Sequence, residues 1–295
     1  MEYSKLISDS EFNKYIGKNF GIQWYNGPDE TIINSDKDGY YLSESGERKV
    51  LFKFRKGIIS TEFQNLAIKS FLQESKKKHS NRGIAGGIQP GQTNARSITQ
   101  SGQNEGKYIA SNISGYYDRA LREHRGLFKT QVACRTTAFT LRNKELWASG
   151  LPFIQRCSKE YSRLAPKEYS RQKKEWDSIK PQLKIPNTVF TTVTSNYNWR
   201  TACHKDSGDF PCGLGNLVVV GNGFSGGYLG FPQFKVLIKI KPGDFLLMDV
   251  HQWHCNTPIL KKTSDSFRLS FVMYIREDMK ECIKPKKIGN TYYYY

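Results

Sequence analysis

The sequence predicts an α+β protein, and three observations predict it. Residues 1–185 hold the long stretches with helical spacing, residues 186–280 alternate short β-branched and aromatic runs with glycine and proline turns, and the change of character falls at Pro186. Evenly spaced antiparallel strands of this kind close into a sandwich, a barrel or a jelly roll. The expected organisation is a basic N-terminal part of cap, loops and supporting helices over 1–185, part of the same fold, an all-β core over 186–280, and a C-terminal tail over 281–295.

Taken in order, residues 1–60 mix β-like runs (Tyr40-Tyr41-Leu42 and Val50-Leu51-Phe52) with turn residues such as Gly27-Pro28-Asp29, and read as an irregular cap. From Thr61, the apolar positions Phe63, Leu66, Ala67 and Phe71 follow helical spacing, with Ser60 placed to cap and the lysine run Lys76 to Lys78 to end the helix. Residues 79–107 are rich in Gly, Asn, Gln and Ser and read as a working loop near the active site. The alternation from Gln131 to Thr137 suggests a strand flanked by basic helical pieces. A second helix is expected from Pro152, which suits a first helical turn, through Leu164, and a polar helix between Pro166 and Pro181. Beyond Pro186 come β runs at Thr188 to Thr194, Leu217 to Val220, Tyr228 to Phe231, Phe234 to Ile240, Phe245 to Met248 and Phe267 to Tyr274.

Composition narrows the function. The 295 residues carry 45 Lys+Arg against 27 Asp+Glu, a formal charge of +18, and no apolar run approaches the roughly 20 residues that span a bilayer. The first residues lack the pattern of a signal peptide, so an intracellular protein without membrane contact is expected. The six cysteines sit far apart without a Cys-x-x-Cys pair and read as free thiols. Residues 186–295 hold 13 Lys/Arg and 8 Asp/Glu, which leaves 32 against 19 for residues 1–185, so most of the excess charge lies in the N-terminal part. There, Lys76, Lys77, Lys78, Arg119, Arg122 and Arg125 interleave with aromatic residues, a pattern that suits either a polyanion with bases to stack on or a solvated helix face.

One constellation in the β region carries chemistry. His204 and Asp206 stand two apart, so in a strand they share a face and can grip one ion, and His254 follows fifty residues later. Two histidines and a carboxylate leave three positions open on an octahedral ferrous ion, for an organic cosubstrate and dioxygen. Arg268 can take the far carboxylate of a chelating dicarboxylate bidentately, and Ser270 on the same strand face can add a hydroxyl donor. His251 is a rival for the third ligand, with a rim role as the plainer reading. A zinc site from Cys203, Cys212, His254 and Cys255 fits no closed tetrahedral spacing.

With these residues in place, the segments CHKDSGD, GNGFSGGYLGFP, KPGDFLLMD, WHCNTPI and FRLSFVMY resemble the double-stranded β-helix (jelly-roll) core of iron(II)/2-oxoglutarate dioxygenases. The HCNTP spacing and the Arg268, Ser270 and Tyr274 run are similar to the TET/JBP family, and NRGIAGG and SGYYDR add a weaker likeness upstream. The resemblance implies that His204, Asp206 and His254 hold Fe(II), that Arg268 with Ser270 binds 2-oxoglutarate, and that O2 is consumed, with ascorbate as a stimulant. Asn196 and Arg200 would line the cosubstrate pocket or serve as strand ends. Asp209 would reach the target base, Tyr274 would stack on it, and Arg276 stands where the family often has a histidine that contacts the base.

An ionised Asp209 would pair with the amino group of cytosine and repel the carbonyl of thymine, so the expected activity is oxidation of 5-methylcytosine in DNA to 5-hydroxymethylcytosine and further to formyl and carboxyl products. The base would be flipped or single-stranded, and the protein a monomer, nuclear in a eukaryote. Three alternatives stay open: a thymine hydroxylase, a prolyl or lysyl hydroxylase on the same core, and a nucleic-acid-binding module with a vestigial iron site.

Overall fold

A computed structural model describes residues 1–25, 31–79, 82–87, 109–120, 132–282, 285–288 and 291–294. Its architecture is α+β. The larger sheet runs in the order Pro285–Ile288, Thr291–Tyr294, Val132–Thr136, Ile109–Ala120, Thr192–Tyr197, Phe267–Tyr274, Gly215–Asn222, Phe245–Met248, Arg48–Arg55 and Lys37–Leu42, with all neighbours antiparallel. Facing it is a smaller sheet of Ile32–Ile33, Val236–Ile238, Leu229–Phe231 and Cys255–Asn256, in which only the first pair is parallel.

The continuous apolar run Leu217 to Val220 explains why the larger sheet is covered on both faces. Leu217 and Val219, with Phe52, Phe54, Leu246 and Met248, meet Leu229, Phe231, Val236 and Ile238 of the smaller sheet. Their neighbours Val218 and Val220, with Phe245, Leu247, Phe271 and Met273, meet Phe71, Phe153, Ile154 and Tyr161 from the helices. The helices Thr61–Ser75 and Lys144–Leu164 therefore brace the sheet from outside, and the interior between the two sheets is left for the site.

Four expectations change. The helix expected from Pro152 begins at Lys144, with the proline inside it. A proline in a helix interior costs about 3 kcal/mol, and the packing of the preceding turns offsets it. Trp147 lies edge-on to Phe71, with ring centroids 6.5 Å apart, and Gly150 approaches so closely that a Cβ there would meet the Phe71 ring at 2.5 Å. The irregular cap supplies an interior strand, because Arg48–Arg55 pairs with Phe245–Met248 and buries Val50, Leu51, Phe52 and Phe54. The C-terminal tail contains a hairpin whose second strand pairs Tyr294 with Cys134. Six free thiols were expected, whereas Cys134 and Cys282 form a disulfide with Cα atoms 5.8 Å apart, because the fold brings residues 148 positions apart together; Cys157, Cys203, Cys212 and Cys255 are free.

Most of the loop expected over 79–107 lies outside the described residues, as do Arg122 and Arg125. Among the described residues, no helix is long and apolar enough to cross a membrane.

Phe71 is fully buried and touches Phe139, Trp147 and Phe271. Phe71→Ala is expected to lower stability by about 3–5 kcal/mol, measured by chemical denaturation, because a cavity opens between helix and sheet.

Candidate active site

The sequence positions three ligand side chains with backbone hydrogen bonds. His204 and His254 exchange both N–H···O bonds at 3.0 Å as an isolated antiparallel bridge, and the Asp206 amide donates to Val250 O at 3.0 Å. The two imidazoles therefore stand side by side, with ring centroids 4.3 Å apart. His204 Nδ1 bonds Ala202 O at 2.7 Å and His254 Nδ1 bonds Gln252 O at 2.9 Å, which turns each Nε2 inward toward Asp206. Asp206 Oδ1 lies 3.2 Å from His204 Nε2 and Oδ2 lies 3.8 Å from His254 Nε2.

One atom from each of these three residues falls within 4.8 Å of the others, a donor set of two imidazoles and one carboxylate that fits a divalent ion. Burial would raise the Asp206 carboxyl, but the His204 hydrogen bond and the charges of His204 and His254 bring it down to about 2. Burial, reinforced by the His204 charge, holds His254 down at about 4, so it stays neutral and able to bind a metal.

Arg268 is 1% exposed, beneath Gly227, where a Cβ would meet its Cδ and Nε at 2.7 Å; this glycine has φ +63. Nη1 donates to Ser270 Oγ at 3.0 Å, while Nε and Nη2 are buried and have no hydrogen-bond partner among the described residues. Burial brings Arg268 down to about 10, still a cation at neutral pH. A buried guanidinium with two unsatisfied donors is costly unless an anion completes it, so the residues present fit a carboxylate ligand. Asn196 lines the same cavity, with Oδ1 buried and unsatisfied, whereas Arg200 is outside its lining: its guanidinium donates to Phe20 O at 2.8 Å and Asn256 O at 3.2 Å. The expected cosubstrate role of Arg200 gives way to this bracing of two backbone segments.

The cavity, of about 500 Å3, extends from Arg268 past the histidines and Asp206 to Tyr274, Asp209 and Arg276. Tyr274 OH lies 3.0 Å from Thr194 Oγ1, which tethers the ring. Arg276 is gripped by Asp118, with Nε to Oδ1 at 2.5 Å and Nη2 to Oδ2 at 3.2 Å, while Nη1 donates to Ser207 O at 3.0 Å and stands 3.5 Å from Asp209 Oδ1. An ionised Asp209 was expected. Burial and the neighbouring Asp206 charge push its carboxyl well above the usual range, against the pull of Arg276. That same Asp206 charge is the one a divalent cation would neutralise.

His251, the rival ligand, is turned away from the cluster: its Nδ1 is 3.2 Å from Asp249 Oδ1 and its Nε2 is 3.3 Å from the Asp209 carbonyl oxygen. Lys76 lies 5.7 Å from the Tyr197 ring centroid, Lys77 pairs with Glu74 at 2.7 Å, and Lys78 sits in a short strand opposite Ala110. Arg119 is in the strand Ile109–Ala120, and its side chain lies outside the described set. Among the residues that escaped the sequence reading are Arg82, which lines the cavity, and Asp118, which stands behind the lining and acts through Arg276. Their only signal is that they stand in NRGIAGG and SGYYDR.

The Tet_JBP family model, the oxygenase domain of the 2OGFeDO superfamily, matches residues 112–277. Over 204 residues the chain is 35% identical to the bifunctional helicase and thymine dioxygenase JBP2 of Leishmania tarentolae, covering 68% of this chain and 17% of that protein. It is 34% identical over 174 residues to thymine dioxygenase JBP1-A of Trypanosoma cruzi, covering 58% and 20%. The chain thus spans less than a quarter of the length of these curated relatives. The solved structure of NgTET1 in complex with 5mC DNA matches with a TM-score of 0.54 at 15% identity, over 85% of this chain and 83% of that one, a likeness of fold.

Asp206→Ala is expected to weaken Mn(II) binding by more than the roughly 10–100-fold lost when a mere supporting partner of a ligand is removed, read by isothermal titration. In the same titration, Arg268→Lys should weaken 2-oxoglutarate binding to the Mn(II)-bound protein by roughly 10–100-fold, because an ammonium cannot replace the bidentate fork.

Proposed function

The chain belongs to the TET/JBP family of iron and 2-oxoglutarate oxygenase domains, and from that premise we propose that it hydroxylates the 5-methyl group of a pyrimidine in DNA, 5-methylcytosine first. The observation that carries the reading is one cavity holding the His204, Asp206 and His254 cluster, the unsatisfied Arg268 donors, and an end lined by Tyr274 and Asp209.

In this reading His204, Asp206 and His254 hold the iron, and Arg268 with Ser270 holds the far carboxylate of 2-oxoglutarate. When bound, the iron would let dioxygen, with 2-oxoglutarate as the electron donor that leaves as succinate and CO2, replace a methyl C–H bond by C–OH. The rest falls to the chain. The carbonyls of Ala202 and Gln252 fix both imidazoles, and Asn198 Oδ1 accepts from the Arg268 amide at 2.7 Å, which holds the start of the arginine strand. Tyr274, tethered by Thr194, offers a ring face for the base. A methyl group stacked inside a duplex cannot reach such a cavity, so the nucleotide is extruded or arrives single-stranded.

Selection of the base rests on Asp209. Arg276 is held by Asp118, Ser207 and Asp209 rather than aimed at a thymine carbonyl, while Asp209, ionised once a divalent cation offsets the Asp206 charge, retains an oxygen for the amino group of 5-methylcytosine. Thymine is the second reading, favoured by the named activity of the curated relatives.

The test is turnover on matched oligonucleotides containing 5-methylcytosine or thymine, with iron and 2-oxoglutarate, followed by nucleoside mass spectrometry. The expected result is 5-hydroxymethylcytosine, formed with a kcat/KM about tenfold or more above that for thymine oxidation, and Asp209→Asn should narrow that ratio by roughly tenfold. A wild-type preference for thymine would transfer the assignment to that base. Cosubstrate turnover with no oxidised base of either kind would sink the nucleobase reading.

A further inference from the structure

Asp209 is held from two sides. On one, the Phe210 amide donates to Ile275 O at 3.0 Å and the Glu277 amide to Gly208 O at 2.9 Å, which sets Asp209 opposite Arg276 in an isolated antiparallel bridge. In such a bridge the flanking residues carry the hydrogen bonds, so the N–H and C=O of Asp209 itself point away from its partner. On that far side His251 Nε2 stands 3.3 Å from the Asp209 carbonyl oxygen. His251 lies behind the cavity lining, in the loop between the strand Phe245–Met248 and the ligand His254.

The other ring nitrogen is occupied as well. His251 Nδ1 lies 3.2 Å from Asp249 Oδ1, and the same oxygen accepts from the His251 amide at 2.9 Å. Asp249 is buried, with Oδ2 accepting from Tyr41 OH at 2.7 Å and from Gln252 Nε2 at 3.3 Å, and its amide donates to Leu51 O at 3.0 Å. Against its burial, the hydrogen bonds from His251 and Tyr41 hold the Asp249 carboxyl below its usual range, so it faces Nδ1 as a carboxylate, which only accepts. The Asp209 carbonyl oxygen also only accepts. A neutral imidazole has one N–H and would aim a lone pair at one of these two oxygens, whereas an imidazolium donates to both. The Asp249 hydrogen bond raises the His251 pKa to match, against the pull of burial.

We propose that His251 is a positioning residue for base selection: donating from both ring nitrogens, it clamps the Asp209 backbone to Asp249 and so fixes where the Asp209 carboxylate meets the base. The clamp rests on the reading of Asp209 as the group that selects the base, and it names what holds that group in place. Burial and the Asp206 charge raise the Asp209 carboxyl, and the clamp adds a cation that joins Arg276 in opposing them.

The experiment compares wild type, His251→Asn and His251→Gln as full chains on matched oligonucleotides containing 5-methylcytosine or thymine, with iron and 2-oxoglutarate. The Asn amide falls where Nδ1 stands and serves Asp249, while the Gln amide reaches the place of Nε2 and serves Asp209. His251→Asn should therefore narrow the ratio of kcat/KM for 5-methylcytosine over thymine by roughly 3–10-fold, and His251→Gln should restore most of that loss. Among the described residues, the charged groups facing His251 are Asp249 and Asp209, with Asp206 and Arg276 beyond Asp209. Above the raised His251 pKa one proton leaves, the Asp249 carboxylate keeps the other, and the bond to Asp209 is lost. The wild-type ratio should accordingly fall as pH rises from about 7 to about 9, and His251→Gln should show no such fall. Any ionisation of Asp209 over the same range would raise the ratio, so a fall reports His251. An undiminished ratio in His251→Asn, an equal loss in both variants, or one pH profile shared by wild type and His251→Gln would each overturn the clamp, while wild-type oxidation of 5-methylcytosine still upheld the substrate reading. Absence of 5-methylcytosine oxidation by the wild type would instead remove the substrate reading, and the clamp with it.

Discussion

The strand Phe267–Tyr274 is hydrogen-bonded on both edges, to Thr192–Tyr197 and to Gly215–Asn222, and covered on both faces. Its two-residue period therefore has no freedom. Leu269, Phe271 and Met273 are buried against the helices, so Arg268, Ser270, Val272 and Tyr274 must face the cavity. A slip of one residue would put a guanidinium into the helix-facing core and Phe271 into the site. The apolar packing on one face thus dictates the chemistry on the other, and Phe71 and Phe153, which meet Phe271 at 5.4 and 5.0 Å, support Arg268 without touching it.

Charge in the cavity is arranged by depth. At the closed end Arg268 has two donors unsatisfied among the described residues, suited to an anion that arrives and leaves. In the middle Asp206 and two histidines offset one another, with one carboxylate shared between two imidazoles. Toward the Tyr274 end Asp118, Arg276 and Asp209 form a chain in which the buried Asp118 carries the guanidinium and leaves Asp209 only partly engaged. Each level is satisfied to a different extent, and the least satisfied groups are those with a ligand to bind.

The charge excess of residues 1–185 takes a different meaning in three dimensions. Of its members, the described cation that enters the site is Arg82, from a glycine-rich segment without a charge run, and its counterpart Lys205 comes from the nearly balanced β region. Lysine runs such as Lys76 to Lys78 lie at a helix end and in a short edge strand, where solvent and Glu74 meet their needs. Clustering along the chain measured composition, whereas position at the cavity measured use.

The sequence by itself determined the strand pattern of the core, the metal cluster and the arginine strand, because all of these are short-range. His204 and Asp206 share a face by period two, and the run from Arg268 to Tyr274 alternates within eight residues. Only the tertiary structure decided what depends on distant partners. It brought Asp118 under Arg276 across 158 positions, joined Cys134 to Cys282, drew Arg48–Arg55 into the sheet, and carried the Lys144–Leu164 helix through Pro152. In each case the local signal was neutral or contrary, and burial against residues far along the chain outweighed it.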